Sequence, residues 1–488
     1  INAWWHWSGA NNQVAPSPGN NTIVAWPDMR EFTRTYVTAY SNLGNGQPAT
    51  LFSSWDQQVV DTHFRWMREN NIDTAALQRF NPNGGEGPTR DAMTVKVRSA
   101  AEANGRKWYV MYDVTSWTNM QAEIKADWLN KMSAHVASPM YARQNGKPVV
   151  GIWGFGFNDP GRPFAPGPCL DVINWFKAQG CYVMGGVPTY WRQGINDSRP
   201  GFIDVYRAFH MISPWMVGRI STLQDADNFY TNLTVPDQAE CNARGIDYQP
   251  CVMPGEVTRR HRRHGDFMWR QFYNVIRAGC QGIYISMFDE FNEGNQIAKT
   301  AETLATVPAN SGLLALDEDG TFCSSDYYLR LTGDGGRMLK GQIALTPVRP
   351  TPPVAGTPPT SYVALRARVN NRFVTAANGA ALIANATSAG TAQQFERVNL
   401  GNGAIALRAR SNNQYVCAEA AGAQPLIANR ASVGPWETFA LVTNPNGSLS
   451  LRAQANNQYV CAEAAGAQAL IANRAAIGGW EQFDLVAT

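Results

Sequence analysis

Apolar and polar positions along the first 340 or so residues switch between two periods. Short β-rich runs stand at 32–40, 72–77, 107–112, 148–153, 181–187, 203–211, 248–253 and 282–288. Between several of them the pattern lengthens to that of an amphipathic helix. Over 55–69, Val60, Phe64 and Met67 fall on one face at spacings of four and three, and 170–179 runs into Gly180 as a C-cap. Strands alternating with helices in this way predict an α/β fold, a (β/α)8 TIM barrel.

Further along, the period becomes that of a repeat. Leu365, Leu407 and Leu451 lie 42 and 44 positions apart, and Phe395, Phe439 and Phe483 lie 44 and 44 apart. Each copy reads strand, Asn-Asn turn, strand, Gly turn, strand, strand, as an all-β β-trefoil requires; such units bury a core only together. A proline-rich stretch, from Pro347 through Pro350, Pro352 and Pro353 to Pro358 and Pro359, separates the two patterns. It reads as a semi-rigid linker. The expected division is a barrel over 1–343, a linker over 344–360 and a trefoil over 361–488.

Composition narrows the function classes. Apolar residues make up 44% of the 488 and charged ones 16%, enough apolar chain for a large core. A net charge of +3 argues against bulk nucleic-acid binding, which needs clustered positive charge. No apolar run approaches the ~20 residues of a membrane helix. The chain begins at Ile1 without a signal peptide, as a processed secreted protein would, although an internal piece of a longer chain would look the same. A monomer is expected. The eight cysteines are too scattered for zinc spacing, and neither a metal nor a cofactor is expected. Cys169 with Cys181, or Cys241 with Cys251, is close enough in sequence to bridge in an oxidising compartment. Cys417 and Cys461 are repeat equivalents that read as small core residues.

A TIM barrel places its chemistry at the carboxyl ends of the strands. The residues expected there are Arg79, Asp113, Trp153, Tyr190, Trp191, His210, Trp215, Glu256, Asp289 and Glu290. Polar and aromatic side chains in a ring suit a carbohydrate cleft, because a flat indole matches the apolar face of a pyranose. The sharpest local feature is the run from Ile283 to Ile297, where an apolar strand leads into Asp289, Glu290 and Glu293. Glycosidic cleavage needs one carboxyl to protonate the leaving oxygen and another to act as base or nucleophile. Neighbouring carboxylates push their pKa values apart, so that one stays protonated near neutrality. An acidic loop capping the next helix is the plainer reading of the same residues. His63 reads as a packing residue or a catalyst, and the run from Arg259 to His264 as a solvated face or a clamp for an anionic sugar.

The segment Phe288-Asp289-Glu290-Phe291-Asn292-Glu293-Gly294-Asn295-Gln296-Ile297 resembles a signature of glycoside hydrolase family 99, the endo-α-mannosidases, and of the related family 71 α-1,3-glucanases. Asp61-Thr62-His63-Phe64-Arg65-Trp66-Met67 with Asn71-Ile72-Asp73, and Met253-Pro254-Gly255, are similar to further motifs of that clan. The resemblance implies an endo-acting, retaining glycosidase in which Glu290 takes the proton of the sugar 2-hydroxyl and Glu293 is acid/base for the leaving group. Asn292 would join the substrate site. Asp289 stands where the family has Asn, and Phe291-Asn292 where it has Trp-His.

The repeats resemble fascin-like and carbohydrate-binding trefoils. Gly434-Pro435-Trp436-Glu437 and Gly478-Gly479-Trp480-Glu481 carry an indole beside a carboxylate, whereas the first copy has Thr391-Ala392-Gln393. Trp436, Glu437, Trp480 and Glu481 are therefore candidate sugar contacts, or the two indoles close the bottom of the trefoil. The whole chain reads as a secreted glycoside hydrolase whose partner is a polysaccharide or glycan. The alternatives are a non-catalytic glycan-binding protein with an inactive barrel and a fascin-like cytoskeletal cross-linker.

Overall fold

The structure is a computed structural model describing residues 3–85, 87–355, 362–377, 379–401 and 403–487. They form two compact units, Ile1–Ala355 and Gly356–Thr488.

In the first unit, parallel strands follow one another in chain order. These are β1 (Thr74–Arg79), β2 (Lys107–Asp113), β3 (Lys147–Trp153), β4 (Tyr182–Val187), β5 (Met211–Pro214) and the two pieces of β6 (Asp247–Tyr248 and Cys251–Val252). The second piece of β6 pairs in parallel with β7 (Tyr284–Ile285). Pro250 lies in the break between the pieces, where a residue without an N–H cannot donate to the ladder. All of β4 and all but the first residue of β2 are buried, as expected of strands covered on both faces. Crossover helices include Gly87–Asn104, Pro166–Ala178 and Asp266–Ala278, and the helix Gln57–Glu69 leads into β1. The result is a barrel-like α/β unit.

Seven parallel strand positions, not eight, stand among the described residues: one ladder runs from β1 to the first piece of β6, and the second piece pairs separately with β7. The expected strand over 32–40 is extended only at Tyr36–Val37, which pairs antiparallel with Thr50–Leu51, and Val37 is exposed. The expected strand over 203–211 is mostly the helix Ile203–Arg207. Phe202, Val205, Tyr206 and Phe209 are all buried, and their spacing is a helical stripe that the β-branched residues obscured. Beside β7 the amino-terminal segment fills the remaining space. Val24 N–H donates to Phe291 O at 3.0 Å, and Trp7 packs on both Phe52 and Phe291.

The expected linker over 344–360 is only partly a linker. Residues 344–355 lie along the first unit: Trp269 Nε1 donates to Thr346 O, and the buried Arg349 pairs with Asp266 at 2.7 Å. Thr351 donates to Asp334 at 2.6 Å and Arg330 to Pro352 O at 2.8 Å. Proline density reads as an extended tether, yet extended backbone with free carbonyls is also a good acceptor for arginines on a neighbouring surface. Residues 356–360 lie outside the described residues.

The second unit is all β. Tyr362–Ala367, Gln394–Gly401, Ala404–Ala409, Phe439–Thr443, Leu449–Ala453 and Phe483–Ala487 pair in that order, and the last pairs back to the first, closing a six-stranded antiparallel ring. Each repeat adds one hairpin: Arg372–Thr375 with Ile383–Ala386, Tyr415–Ala418 with Leu426–Arg430, and Tyr459–Ala462 with Leu470–Arg474. The periodic Leu365, Leu407 and Leu451, with Phe395, Phe439 and Phe483, form one shared core. All eight cysteines are buried free thiols, so neither Cys169–Cys181 nor Cys241–Cys251 is bridged.

Candidate active site

The strand register sets the floor of the site. Asp113 pairs with Trp153, and Trp153 with Gly186, so the carboxyl ends of β2, β3 and β4 lie level. A Cβ on Gly186 would lie 1.8 Å from Trp153 Cε3, so only glycine lets that indole lie flat across the next strand. Trp153 in turn meets Trp215 edge-on, with ring centroids 4.7 Å apart. Asp113 is buried and accepts from Gln78 Nε2 and Thr115 N–H, both at 2.9 Å.

Beyond β7 the chain turns through Asp289, Glu290 and Glu293. An open groove of about 410 Å³ is lined by Trp215, Glu256, Thr258, Asn292, Glu293 and Val24. Glu293 accepts from Asn295 Nδ2 at 3.1 Å, and Asn295 is fully buried. Glu290 is half-buried. Burial first, then the charges of Glu293 and Asp289, push its carboxyl from 4.5 up to about 7, against a lowering bond from Asn292. It faces Tyr284, whose phenol is held well above its usual range by burial and then by neighbours that include Glu290 and Asp113. Tyr284 is a neighbour of these carboxyls that the sequence did not single out. Its place in the last strand, with its side chain alternating inward, was the available signal.

Behind Asp289 lies a cage of aromatic rings. His63 stacks on Trp66 and touches Phe288, and its Nδ1 is 4.0 Å from Asp289 Oδ2. Burial lowers its pKa to about 4, so it is neutral near pH 7. Of its two readings the geometry favours packing.

The basic run divides rather than forming one face. Arg262 is buried, 2% exposed, and donates to the carbonyls of Gly255 (3.0 Å), Gly294 (3.0 Å) and Gln296 (2.8 Å) while lying over the Tyr328 ring. It ties the carboxylate loop to the segment after β6. His264 is also buried, 2.9 Å from Asp319. Arg259 and Arg260 point outward, toward Glu256 at 3.1 Å and Glu318 at 3.5 Å.

Several expected contacts are not in the groove. Arg79, 2% exposed, is locked between Asp127 (2.6 Å) and Asp91 (2.6 Å), so its guanidinium serves the core. Trp191 is buried against Tyr206. His210 precedes β5, so it lies at the amino end of that strand, opposite the expected lip, and its Nδ1 accepts from Val183 N–H. Tyr190 is half-buried in the loop after β4, its N–H bonded to Asp197. In the second unit, Glu437 and Glu481 are buried and accept from Gly434 N–H (2.8 Å) and Gly478 N–H (2.6 Å). In the first copy Gln393 Oε1 accepts from Gly390 N–H in the same way. These side chains hold a turn in every repeat, a role that accounts for their position without a ligand. Trp436 and Trp480 stay 37% and 38% exposed, with Ala392 at their place in the first copy, so they do not close the core.

Among the described residues no group of three or more His, Cys, Asp or Glu is placed to hold a metal ion, and no helix is long and apolar enough to cross a membrane. No protein-family model matches the chain, and no curated protein sequence matches it. Among solved structures it is similar to the GH99 endo-alpha-mannosidase from Bacteroides thetaiotaomicron. In complex with BIS-TRIS-Propane that enzyme shows 17% identity over 66% of this chain and 90% of that one, with a TM-score of 0.48. A second structure of it shows 15% identity over 66% and 86%, again at 0.48. The designed three-fold symmetric protein ThreeFoil is 26% identical over 26% of this chain and 97% of that one, at a TM-score of 0.24. At TM-scores of 0.48 and 0.24, family membership does not follow from these likenesses.

Proposed function

We propose that the first unit is a glycoside hydrolase acting through Glu290 and Glu293. The observation that carries this reading is the Glu290 carboxyl, raised to about 7 by burial beside Glu293 and Asp289, three residues from a second glutamate on the groove wall. A carboxyl poised near neutrality is suited to proton transfer in both directions. Trp215, Trp153, Glu256 and Asn292 supply stacking surface and hydroxyl partners.

On the family resemblance, Glu290 takes the proton of the sugar 2-hydroxyl, O2 closes on C1, and the C1–O bond to the leaving group breaks as Glu293 protonates that oxygen. Water then opens the anhydro ring at C1, giving its proton to Glu293, while Glu290 returns a proton to O2. Both carboxyls end as they began. Backside attack by O2 requires the leaving group to be trans to it, as in α-mannosides and β-glucosides. α-1,3-Glucan is 1,2-cis, so O2 cannot attack from the back, and its cleavage would need a carboxylate nucleophile or a base-activated water instead. The substrate reading is therefore a 1,2-trans glycan, cut with retention. In the same reading the second unit is a β-trefoil that holds the polymer through Trp436 and Trp480, and the enzyme works outside the cell.

The test is turnover of soluble α-mannan and α-1,3-glucan, with the anomeric form of fresh product followed by NMR. Retention on mannan is expected, with a loss of ~10²–10⁴ in rate for Glu290→Gln or Glu293→Gln. Unchanged turnover in both variants, or none by the parent on any glycan, ends the assignment; binding without turnover would leave a glycan-holding protein.

A further inference from the structure

The second unit contains its own control, because two of its three copies carry features that the third lacks. Around Trp436, Arg430 contacts Glu419 Oε1 at 2.8 Å and lies 3.9 Å from Glu437 Oε1, and Asn429 Nδ2 donates to Glu419 at 3.0 Å. Trp436 O accepts from Ala418 N–H, which brings the indole's turn alongside Glu419. The third copy repeats the set: Arg474 with Glu463 at 2.6 Å, Arg474 with Glu481 at 3.9 Å, and Asn473 with Glu463 at 3.2 Å, beside Trp480.

In the first copy the corresponding residues are Ala377, Ala386 and Ala392. Strand pairing confirms the alignment, since Phe373 opposes Ala386 as Tyr415 opposes Arg430. There, Asn385 meets Thr375 at 2.5 Å, and Gln393 donates to Thr375 at 2.9 Å, a small neutral network. The turn held by Gln393 and the buried core are kept, so folding needs neither the indole nor the Glu–Arg pair. Half-exposed ion pairs contribute little to stability, and stability does not explain why this one appears only beside an exposed tryptophan.

We infer that Glu419 with Arg430 and Glu463 with Arg474 complete two equivalent sugar-binding sites on Trp436 and Trp480, and that both take neutral hexose units. The inference rests on reading the two indoles as glycan platforms. Each indole offers a flat apolar face, while the carboxylate and guanidinium beside it accept from and donate to vicinal hydroxyls in a fixed geometry. One cation faces two carboxylates at each site, which disfavours uronates and sulfated sugars. Two sites on one unit raise affinity for a chain that spans them.

The experiment is affinity electrophoresis of the full chain in gels containing yeast α-mannan, laminarin or polygalacturonate, in a Glu290→Gln background that keeps the polymer intact. Retardation by a neutral polymer is expected, weakened ~10-fold or more in Glu419→Gln/Glu463→Gln and in Arg430→Gln/Arg474→Gln, with each single-site change intermediate. Melting temperatures unchanged from the parent show that these variants are folded. If Trp436→Ala/Trp480→Ala abolishes retardation while the Gln variants bind like the parent, the platforms stand and this inference falls. If the Trp variant binds like the parent, or no neutral polymer retards the parent, the platform reading falls and takes the inference with it. Stronger retardation by polygalacturonate than by the neutral polymers overturns the sugar class.

Discussion

Glu290 holds its proton to about 7 because ionising it inside the barrel mouth means losing water and facing Glu293 and Asp289. Relative to an unfolded chain titrating at 4.5, this carboxyl favours folding most below 4.5, and the advantage disappears as pH rises through 7. In its proposed role as base the useful form of Glu290 is the ionised one, so kcat/KM should climb through an apparent pKa near 7. Asp289 is one of the two charges responsible. Asp289→Asn should therefore move the rising limb to lower pH, and a limb that stays in place would show that Asp289 does not face the base. Arg262 acts through the same loop without touching the groove. Arg262→Met leaves the carbonyls of Gly255, Gly294 and Gln296 without their donor, at about 1–3 kcal/mol for each buried group. A fall of several degrees in melting temperature is expected, with kcat reduced. Arg262→Lys restores a charge but not the planar fork; it should recover part of the stability while the pH profile and kcat stay perturbed. Recovery of both would mean that the charge alone suffices.

At the scale of elements, the β3–β4 step shows how a small residue positions a large one. Gly186→Ala puts a Cβ 1.8 Å from Trp153 Cε3. The indole must move, and overpacking of this kind costs about 1–3 kcal/mol. Because Trp153 packs on Trp215 at the groove, KM for a polymeric substrate should rise more than kcat falls; an unchanged KM would remove Trp153 from the substrate path. Much of this layer was legible. β2, β3 and β4 lie within a residue of their expected bounds because parallel strands buried on both faces are long apolar runs. The helix Gln57–Glu69 follows its apolar stripe. What misled was β-branched composition over 203–211, which hid a helical spacing and so placed His210 at the wrong end of β5. Arg79 could not have been read correctly, since its partner Asp127 is 48 positions away and nothing local signals the pair. Glu437 could have been: Gly390 and Gln393, Gly434 and Glu437, and Gly478 and Glu481 share one spacing, and an acceptor oxygen common to all three copies points to the turn rather than to a ligand.

For the whole molecule, the boundary between the units falls later than the prolines suggest, and stability can locate it. Residues 344–355 bring the buried Arg349 against Asp266, Thr351 against Asp334, and backbone carbonyls to Trp269 and Arg330. A chain ended at Ile343 strands Asp266, Asp334 and the donors on Trp269 and Arg330, and uncovers the surface on which the strap lies. A chain ended at Ala355 keeps all of these contacts. If the strap belongs to the first unit, 1–355 should melt at the temperature of the corresponding transition in the full chain, and 1–343 several degrees lower, with faster proteolysis. Equal melting of the two truncations would return 344–355 to the role of tether. The distinction bears on function because the strap anchors to Asp266 and Trp269, at the start of the helix that follows Arg262. Arg262 holds the Glu293 loop, so loosening the strap should lower turnover in 1–343 even at temperatures where it is folded, while 1–355 should match the full chain on short oligosaccharides.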